Sequence, residues 1–163
     1  MNIAILSDTH DNIWKLDDAL GMMGEAGALI HCGDLCSPFV IKHLGKGAGG
    51  RPVHIVWGNN DGDQFLISRV AAGYPSVKLH GQFAELTLDG VRIAVNHYPE
   101  IARPLAAGGR FDLVCYGHDH TAHLETLGES LLLNPGEIMG MKGRRTFAWF
   151  DTATRQVRFA EVL

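Results

Sequence analysis

The chain has 163 residues, of which 46% are hydrophobic and 20% charged, and it carries a net charge of −4. That length predicts a single domain, residues 1–163, able to bury a substantial core, with the composition of an ordinary soluble globular protein. The charge gives no electrostatic footprint for duplex DNA or RNA, but it does not exclude a small nucleotide substrate.

In chain order, residues 2–7 (NIAILS) form a short apolar run suited to a strand covered on both faces. Residues 13–24 place Ile13, Leu16, Leu20 and Met23 at helical spacing. Residues 28–31 read as the next strand, and 38–44 as a short helix with Ser37 as N-cap and Pro38 in its first turn. A third strand over 53–57 and a helix over 63–72 complete a βαβαβα pattern, which predicts a parallel sheet. The glycine-rich stretch 45–50 (GKGAGG) lacks the GK[ST] ending of a phosphate cradle and reads as a solvent loop. The second half changes character. Residues 83–88 alternate, Asp89-Gly90 signals a tight hairpin, and 91–96 return. After a short helix over 99–106, strands follow at 113–116, 123–126, 131–134, 146–151 and 156–162. The whole predicts an αββα sandwich, two packed mixed β-sheets flanked by helices.

Polar residues recur just beyond the predicted strand ends. They are Asp8 and His10 in SDTH, Asp34 in HCGD, Asn59 in GNND, His97 in NHYP, and His118 and His120 in GHDH. Each alone deserves a plain reading as a turn, a cap or a surface histidine. Recurrence at the carboxyl ends of strands, where open α/β sheets bind ligands, points instead to one site. Seven oxygen and imidazole donors suit two metal ions rather than one. The donor mix favours manganese, iron, zinc or similar ions over a thiolate site. His118 and His120 flank one residue, so in extended backbone both imidazoles would share a face and Asp119 would point away.

In order and type these residues resemble the motif series of the calcineurin-like metallophosphoesterases: Asp8-Thr9-His10, Gly33-Asp34, Gly58-Asn59, His97 and Gly117-His118-Asp119-His120. Short length and GNND make the chain similar to the small bacterial and archaeal, YfcE-like, phosphodiesterase branch. The resemblance implies that Asp8, His10, Asp34 and His120 hold one metal, and that Asp34, Asn59, His97 and His118 hold the other. Asp34 would bridge the two, with Asp34, Asn59 and His97 at the catalytic centre. It also implies two divalent ions, manganese foremost, with iron, zinc, nickel or magnesium compatible. The implied reaction is hydrolysis of small or nucleotide-like phosphodiesters by a water activated between the metals. Phosphomonoester hydrolysis and a non-catalytic protein-binding scaffold of the same fold are the alternatives.

Three positions depart from the family pattern. Asn60 stands where many relatives place a histidine thought to protonate the leaving group. Tyr98 replaces the usual glycine after His97, giving a bulkier wall or a different turn. Ser37 occupies the place of the purple acid phosphatase tyrosine, which argues against a tyrosinate-bound iron. Gly117 is read as permitting a sharp turn. His31 is read either as orienting Asp34 or as a satisfied core histidine, and His43, His54, His80 and His123 as surface or edge residues. Trp14, beside the DTHDN loop, reads as helix packing before it reads as a stacking platform. Cys32, Cys36 and Cys115 lack CxxC spacing, and Cys32 reads as packing; reduced thiols predict a cytoplasmic setting. The amino terminus has no basic region of a signal peptide, and no apolar run approaches the roughly 18 to 20 residues that cross a bilayer. No membrane partner is therefore expected; a homo-oligomer remains compatible with the chain.

Overall fold

The computed structural model describes residues 1–163. In chain order the strands are β1 (Asn2–Leu6), β2 (Ala28–His31), β3 (Val53–Ile55), β4 (Val77–Leu79), β5 (Ala84–Leu88) and β6 (Val91–Val95). They continue as β7 (Leu113–Cys115), β8 (His123–Leu127), β9 (Ser130–Asn134), β10 (Thr146–Asp151) and β11 (Val157–Glu161). The helices are α1 (Ile13–Met22), α2 (Pro38–Gly47), α3 (Gln64–Ala71) and α4 (Pro99–Ala107). Six strands form one sheet in the order β11-β10-β1-β2-β3-β4, and five form the other in the order β5-β6-β7-β9-β8. β1 through β4 run parallel, and β10 closes on β1 antiparallel with Ile3 opposite Phe150.

Alternation along the strands builds the layers. Ile3 and Ile5 of β1 face the second sheet, where they meet Ile30, Ile93, Val95, Leu113, Leu133 and Phe150 in a closed core. Ala4 and Leu6 face the other way, against Leu16 and Leu20 of α1, Ile41 and Leu44 of α2, and Ile67 of α3. The outer face of the second sheet, through Ala94, Val114 and Leu132, is covered by Ala102 and Ala106 of α4. Helix, sheet, sheet and helix thus stack as the apolar pattern predicts. Each fully buried Ile or Leu contributes about 1.5–3 kcal/mol.

Several local expectations need correction. α2 continues through Gly47, so half of the stretch read as a solvent loop is helix. A Cβ on Gly45 would strike the Tyr74 ring, and one on Gly47 would strike Leu20. The glycines let helix α2 pack closely, and that gain outweighs their low helix propensity. Ser37 precedes α2 but its side chain does not cap it; its hydroxyl donates to Asp11 Oδ2 at 2.7 Å. α1 ends at Met22, two residues short of the expected end at residue 24, although Met23 is still buried. The sequence pattern does not predict β4. Its sequence VKL is three residues long, and only Val77 is buried.

Two side chains also depart from expectation. Trp14 is 73% exposed and does not pack its helix into the core. His54 is buried on β3 rather than at an edge, because β4 covers it, and its Nδ1 lies 2.9 Å from His80 Nε2.

Candidate metal centre

Because β1, β2 and β3 are parallel, their carboxyl ends deliver Asp8, Asp34 and Asn59 to the same edge of the sheet. β6 and β7 of the second sheet deliver His97 and His118 beside them. The structure brings all seven predicted residues together, in two groups joined by one carboxylate. Asp8 Oδ1 lies 3.8 Å from His10 Nε2 and 3.3 Å from His120 Nε2. On the other side Asn59 Oδ1 lies 3.1 Å from His97 Nε2 and 2.9 Å from His118 Nδ1. Asp34 Oδ2 sits between, 3.4 Å from His10 Nε2 and 3.4 Å from His97 Nε2. Asp8, His10 and His120 form one cluster with metal-ligand spacing, and Asp8, Asp34 and His97 form another.

The backbone around these residues is strained. Asp8, His10, Asp34, His118 and His120 all have positive φ, between 42° and 71°, a region that non-glycine residues rarely occupy. Each such residue costs of order 1–3 kcal/mol, a cost that persists where surrounding structure enforces it and that clusters at functional sites. The same finding corrects the alternation argument for GHDH. β7 stops at Cys115, and His118 and His120 converge through left-handed turns rather than along an extended strand. Gly117 is needed for space, not for a sharp turn. A Cβ there would collide with Ser7 Oγ and come within 2.7 Å of Asp8 Oδ2. Gly58 is crowded in the same way by the backbone nitrogen of Asp34, at 2.6 Å from a Cβ.

Three imidazoles are oriented by partners at Nδ1. His97 Nδ1 donates to the Cys32 carbonyl at 2.8 Å, and His120 Nδ1 donates to Glu137 Oε2 at 2.7 Å. His10 Nδ1 faces Cys36 Sγ at 3.5 Å. Each arrangement turns Nε2 toward the carboxylates, as in sites where a carboxylate or carbonyl positions a metal-binding histidine. His10 Nε2 is buried and has no hydrogen-bond partner. A buried, unpartnered ring nitrogen beside two carboxylates fits a cation held there.

The titration behaviour agrees with this charge distribution. The neighbouring Asp8 carboxylate, and then Cys36, favour the charged ring and raise His10 to about 10. Burial disfavours charge on His97, but the neighbouring Asp34 carboxylate outweighs it and raises this imidazole too. Burial likewise acts to raise Asp34; hydrogen bonds from His97 and Asn60 overcome it and hold the carboxyl below its ordinary range.

Two residues that sequence reasoning missed organise the site. Asp61 is buried and accepts four backbone N–H groups, from Asp34 at 3.1 Å, Leu35 at 2.8 Å, Cys36 at 2.9 Å and Gly58 at 2.6 Å. It clamps the loops after β2 and β3 to each other. Glu137, fully buried, accepts from His120 with one oxygen and from the Lys142 N–H, at 2.5 Å, with the other. The GNND motif contained Asp61 in plain view, but a carboxylate next to a turn carries no mark of which amides it will meet. Glu137 lies 17 residues from His120 with only the hairpin of β8 and β9 between them.

Asn60 also has a defined place. Its backbone N–H donates to Asp34 Oδ1 at 2.7 Å and its side-chain amide to Asp34 Oδ2 at 2.8 Å. The residue expected beside a leaving group is therefore tied to the central carboxylate. Tyr98 forms the bulkier wall, its ring centroid 5.2 Å from that of His97 and 5.5 Å from that of His118.

His31 acts one step removed from Asp34. Its Nδ1 accepts from the Gly33 N–H at 3.2 Å, so in the neutral ring Nε2 carries the proton and donates to Thr9 Oγ1 at 2.8 Å. Burial pushes His31 down to about 4 and His54 down to about 4. In the unfolded chain both imidazoles titrate near 6.5. Between these values the unfolded state binds more protons, so this contribution is whole above about pH 6.5 and is lost as pH falls toward 4. Chemical unfolding at pH 7 and at pH 5 is expected to show a loss on the order of 1–2 kcal/mol per histidine. His54→Asn should flatten part of that slope, and an unchanged slope would remove His54 from the explanation.

The family model described as the calcineurin-like phosphoesterase superfamily domain matches residues 1–155. The chain is 28% identical to Phosphodiesterase MJ0936 of Methanocaldococcus jannaschii over 163 residues, 97% of each protein. It is 31% identical to the probable metallophosphoesterase YsnB of Bacillus subtilis over 152 residues, 90% of this chain and 80% of that one. The solved structure of an archaeal phosphodiesterase superposes with a TM-score of 0.91 at 28% identity, over 99% of both chains.

Proposed function

The chain belongs to the calcineurin-like phosphoesterase superfamily, and on that footing we propose that it is a metal-dependent phosphodiesterase acting on small or nucleotide-like phosphodiesters. The observation that carries this reading is Asp34 Oδ2, placed 3.4 Å from an imidazole nitrogen on each side. Asp8, His10, Asp34 and His120 would hold one divalent ion, and Asp34, Asn59, His97 and His118 a second. The chemistry supplied by two such ions, manganese foremost, is activation of water and stabilisation of charge on the phosphoryl oxygens. The similarity to Phosphodiesterase MJ0936 supports the diester preference.

The residues of this chain then have separate tasks. Glu137 and the Cys32 carbonyl hold His120 and His97 with Nε2 facing inward. Asn60 donates to both oxygens of Asp34 and so fixes the orientation of that carboxylate. His118, exposed beside Tyr98, forms the outer wall where an ester group enters. No acid stands at position 60, since an amide can donate a hydrogen bond but cannot surrender a proton to the departing oxygen.

General-acid assistance is typically worth about 10²- to 10⁴-fold, most for poor leaving groups. Aryl phosphodiesters should therefore be cleaved well and alkyl esters poorly, with rates falling steeply as leaving-group pKa rises. A series of aryl diesters and matching monoesters, assayed with each divalent ion, tests both parts. Equal efficiency on monoesters would sink the diesterase reading. A shallow slope with chemistry rate-limiting would assign protonation to another side chain.

A further inference from the structure

A cavity of about 230 Å³ opens beside the site, walled by His120, Thr121, Ala122, Lys142, Arg144 and Thr146. A wider one of about 460 Å³ shares Thr121 and Lys142 with it and reaches Asp119 and His123. None of Lys142, Arg144 or Thr146 belongs to the seven clustered residues, yet the ring of His120 forms part of the same wall. The narrower cavity is smaller than the roughly 300–1,000 Å³ of pockets that enclose a drug-sized ligand. It suits a small charged group.

Its charge is positive. Lys142 Nζ donates to the Asp119 carbonyl at 2.6 Å, which uses one of the ammonium's three donors. Arg144 pairs with Glu161 at 3.1 Å, with side chains 75% and 46% exposed, and exposed pairs of this kind hold weakly. Both cations can turn to an anion without losing a buried partner. The buried carboxylate of Glu137 is already committed to His120 and to the Lys142 backbone. Asp119 lines only the wider cavity.

The loop that carries these cations is fixed to the site. The Met139 N–H donates to the Asp8 carbonyl at 3.0 Å, Asn12 Nδ2 to the Met139 carbonyl at 3.0 Å, and the Lys142 N–H to Glu137. The spacing between cavity and clustered ligands is thereby set by hydrogen bonds to the backbone of the loop.

We propose that this cavity is a subsite for a second phosphate, carried on one ester arm of the substrate, so that the preferred substrates are phosphodiesters bearing an additional phosphomonoester. The proposal deepens the phosphodiesterase reading and rests on it. Lys142 and Arg144 bind the second phosphate through charge-assisted hydrogen bonds, with the Thr121 and Thr146 hydroxyls alongside.

Two measurements on the metal-loaded enzyme test it. The first compares para-nitrophenyl release from the para-nitrophenyl diester of glycerol 1-phosphate and from the same diester carrying a second phosphate as a monoester on its 3-hydroxyl. The wild type should favour the phosphate-bearing ester by about tenfold in kcat/KM, mostly through KM, and the Lys142→Gln, Arg144→Gln double variant should lose that preference. The second is calorimetric binding of glycerol bisphosphate against glycerol monophosphate, which needs no turnover. The wild type should prefer the bisphosphate by a similar factor and the double variant should bind both alike. A preference that survives in the double variant, in either measurement, overturns the subsite. Should neither ester be cleaved with any divalent ion, the phosphodiesterase reading fails, and the binding comparison still decides whether the cavity holds phosphate.

Discussion

Asp34→Asn is expected to lower phosphodiester hydrolysis by about 10³-fold or more, corresponding to some 4 kcal/mol of barrier, and to weaken both metal positions together. The reason lies in the four groups that converge on this carboxylate. His10 Nε2 and His97 Nε2 each stand 3.4 Å from Oδ2, and the Asn60 backbone and side-chain amides donate to the two oxygens at 2.7 and 2.8 Å. An asparagine would remove the negative charge between the two proposed metal positions and turn an N–H toward the donors of Asn60. His120→Ala differs in kind, since His120 touches only the Asp8 side of the cluster. Elemental analysis after loading should find that Asp34→Asn loses both ions and that His120→Ala keeps about one. Two ions bound by Asp34→Asn with wild-type affinity would disprove the bridging role.

The second large effect is structural. Asp61→Ala should destabilise the protein by about 3–5 kcal/mol, because four backbone N–H groups, three of them buried, lose their acceptor at once. For a chain of this size that corresponds to a fall in Tm on the order of 10 °C. Asp61→Asn should lie between wild type and alanine, since the amide keeps one acceptor oxygen but loses the charge that makes these bonds strong. Activity should fall as well, since the Asp34, Leu35 and Cys36 amides define the loop on which the central carboxylate sits. Denaturant unfolding of the three proteins measures the effect. A loss below 1 kcal/mol for Asp61→Ala would mean that water or a neighbour replaces the carboxylate without cost.

Neither effect depends on the subsite beside His120, which leaves the three tests separable. The Asp34 variants report on the ligand cluster, the Asp61 variants on the loop clamp, and the Lys142 and Arg144 variants on recognition beyond the scissile bond.

What the sequence by itself determined is everything that repeats at short range. Ile3 and Ile5 alternate with Ala4 and Leu6, and that period already assigns one face to the sheet-sheet core and the other to the helices. Asp89-Gly90 set the hairpin, with φ of 50° and 79° at the turn. The seven polar residues past the strand ends were legible for the same reason: parallel strands place their carboxyl ends together, so chain order alone predicts their meeting.

Tertiary structure decided what depends on partners distant in the chain. Gly45 and Gly47 look like loop residues until Tyr74 and Leu20 arrive against them. β4 forms because β3 offers it an edge, not because VKL has a strong strand pattern. The purposes of Asp61 and Glu137 were hidden longest. A buried carboxylate is specified by the donors that surround it, here Gly58 and the amides from residues 34 to 36 for one, and His120 with Lys142 for the other. Those donors belong to other elements, and only folding brings them within hydrogen-bonding distance.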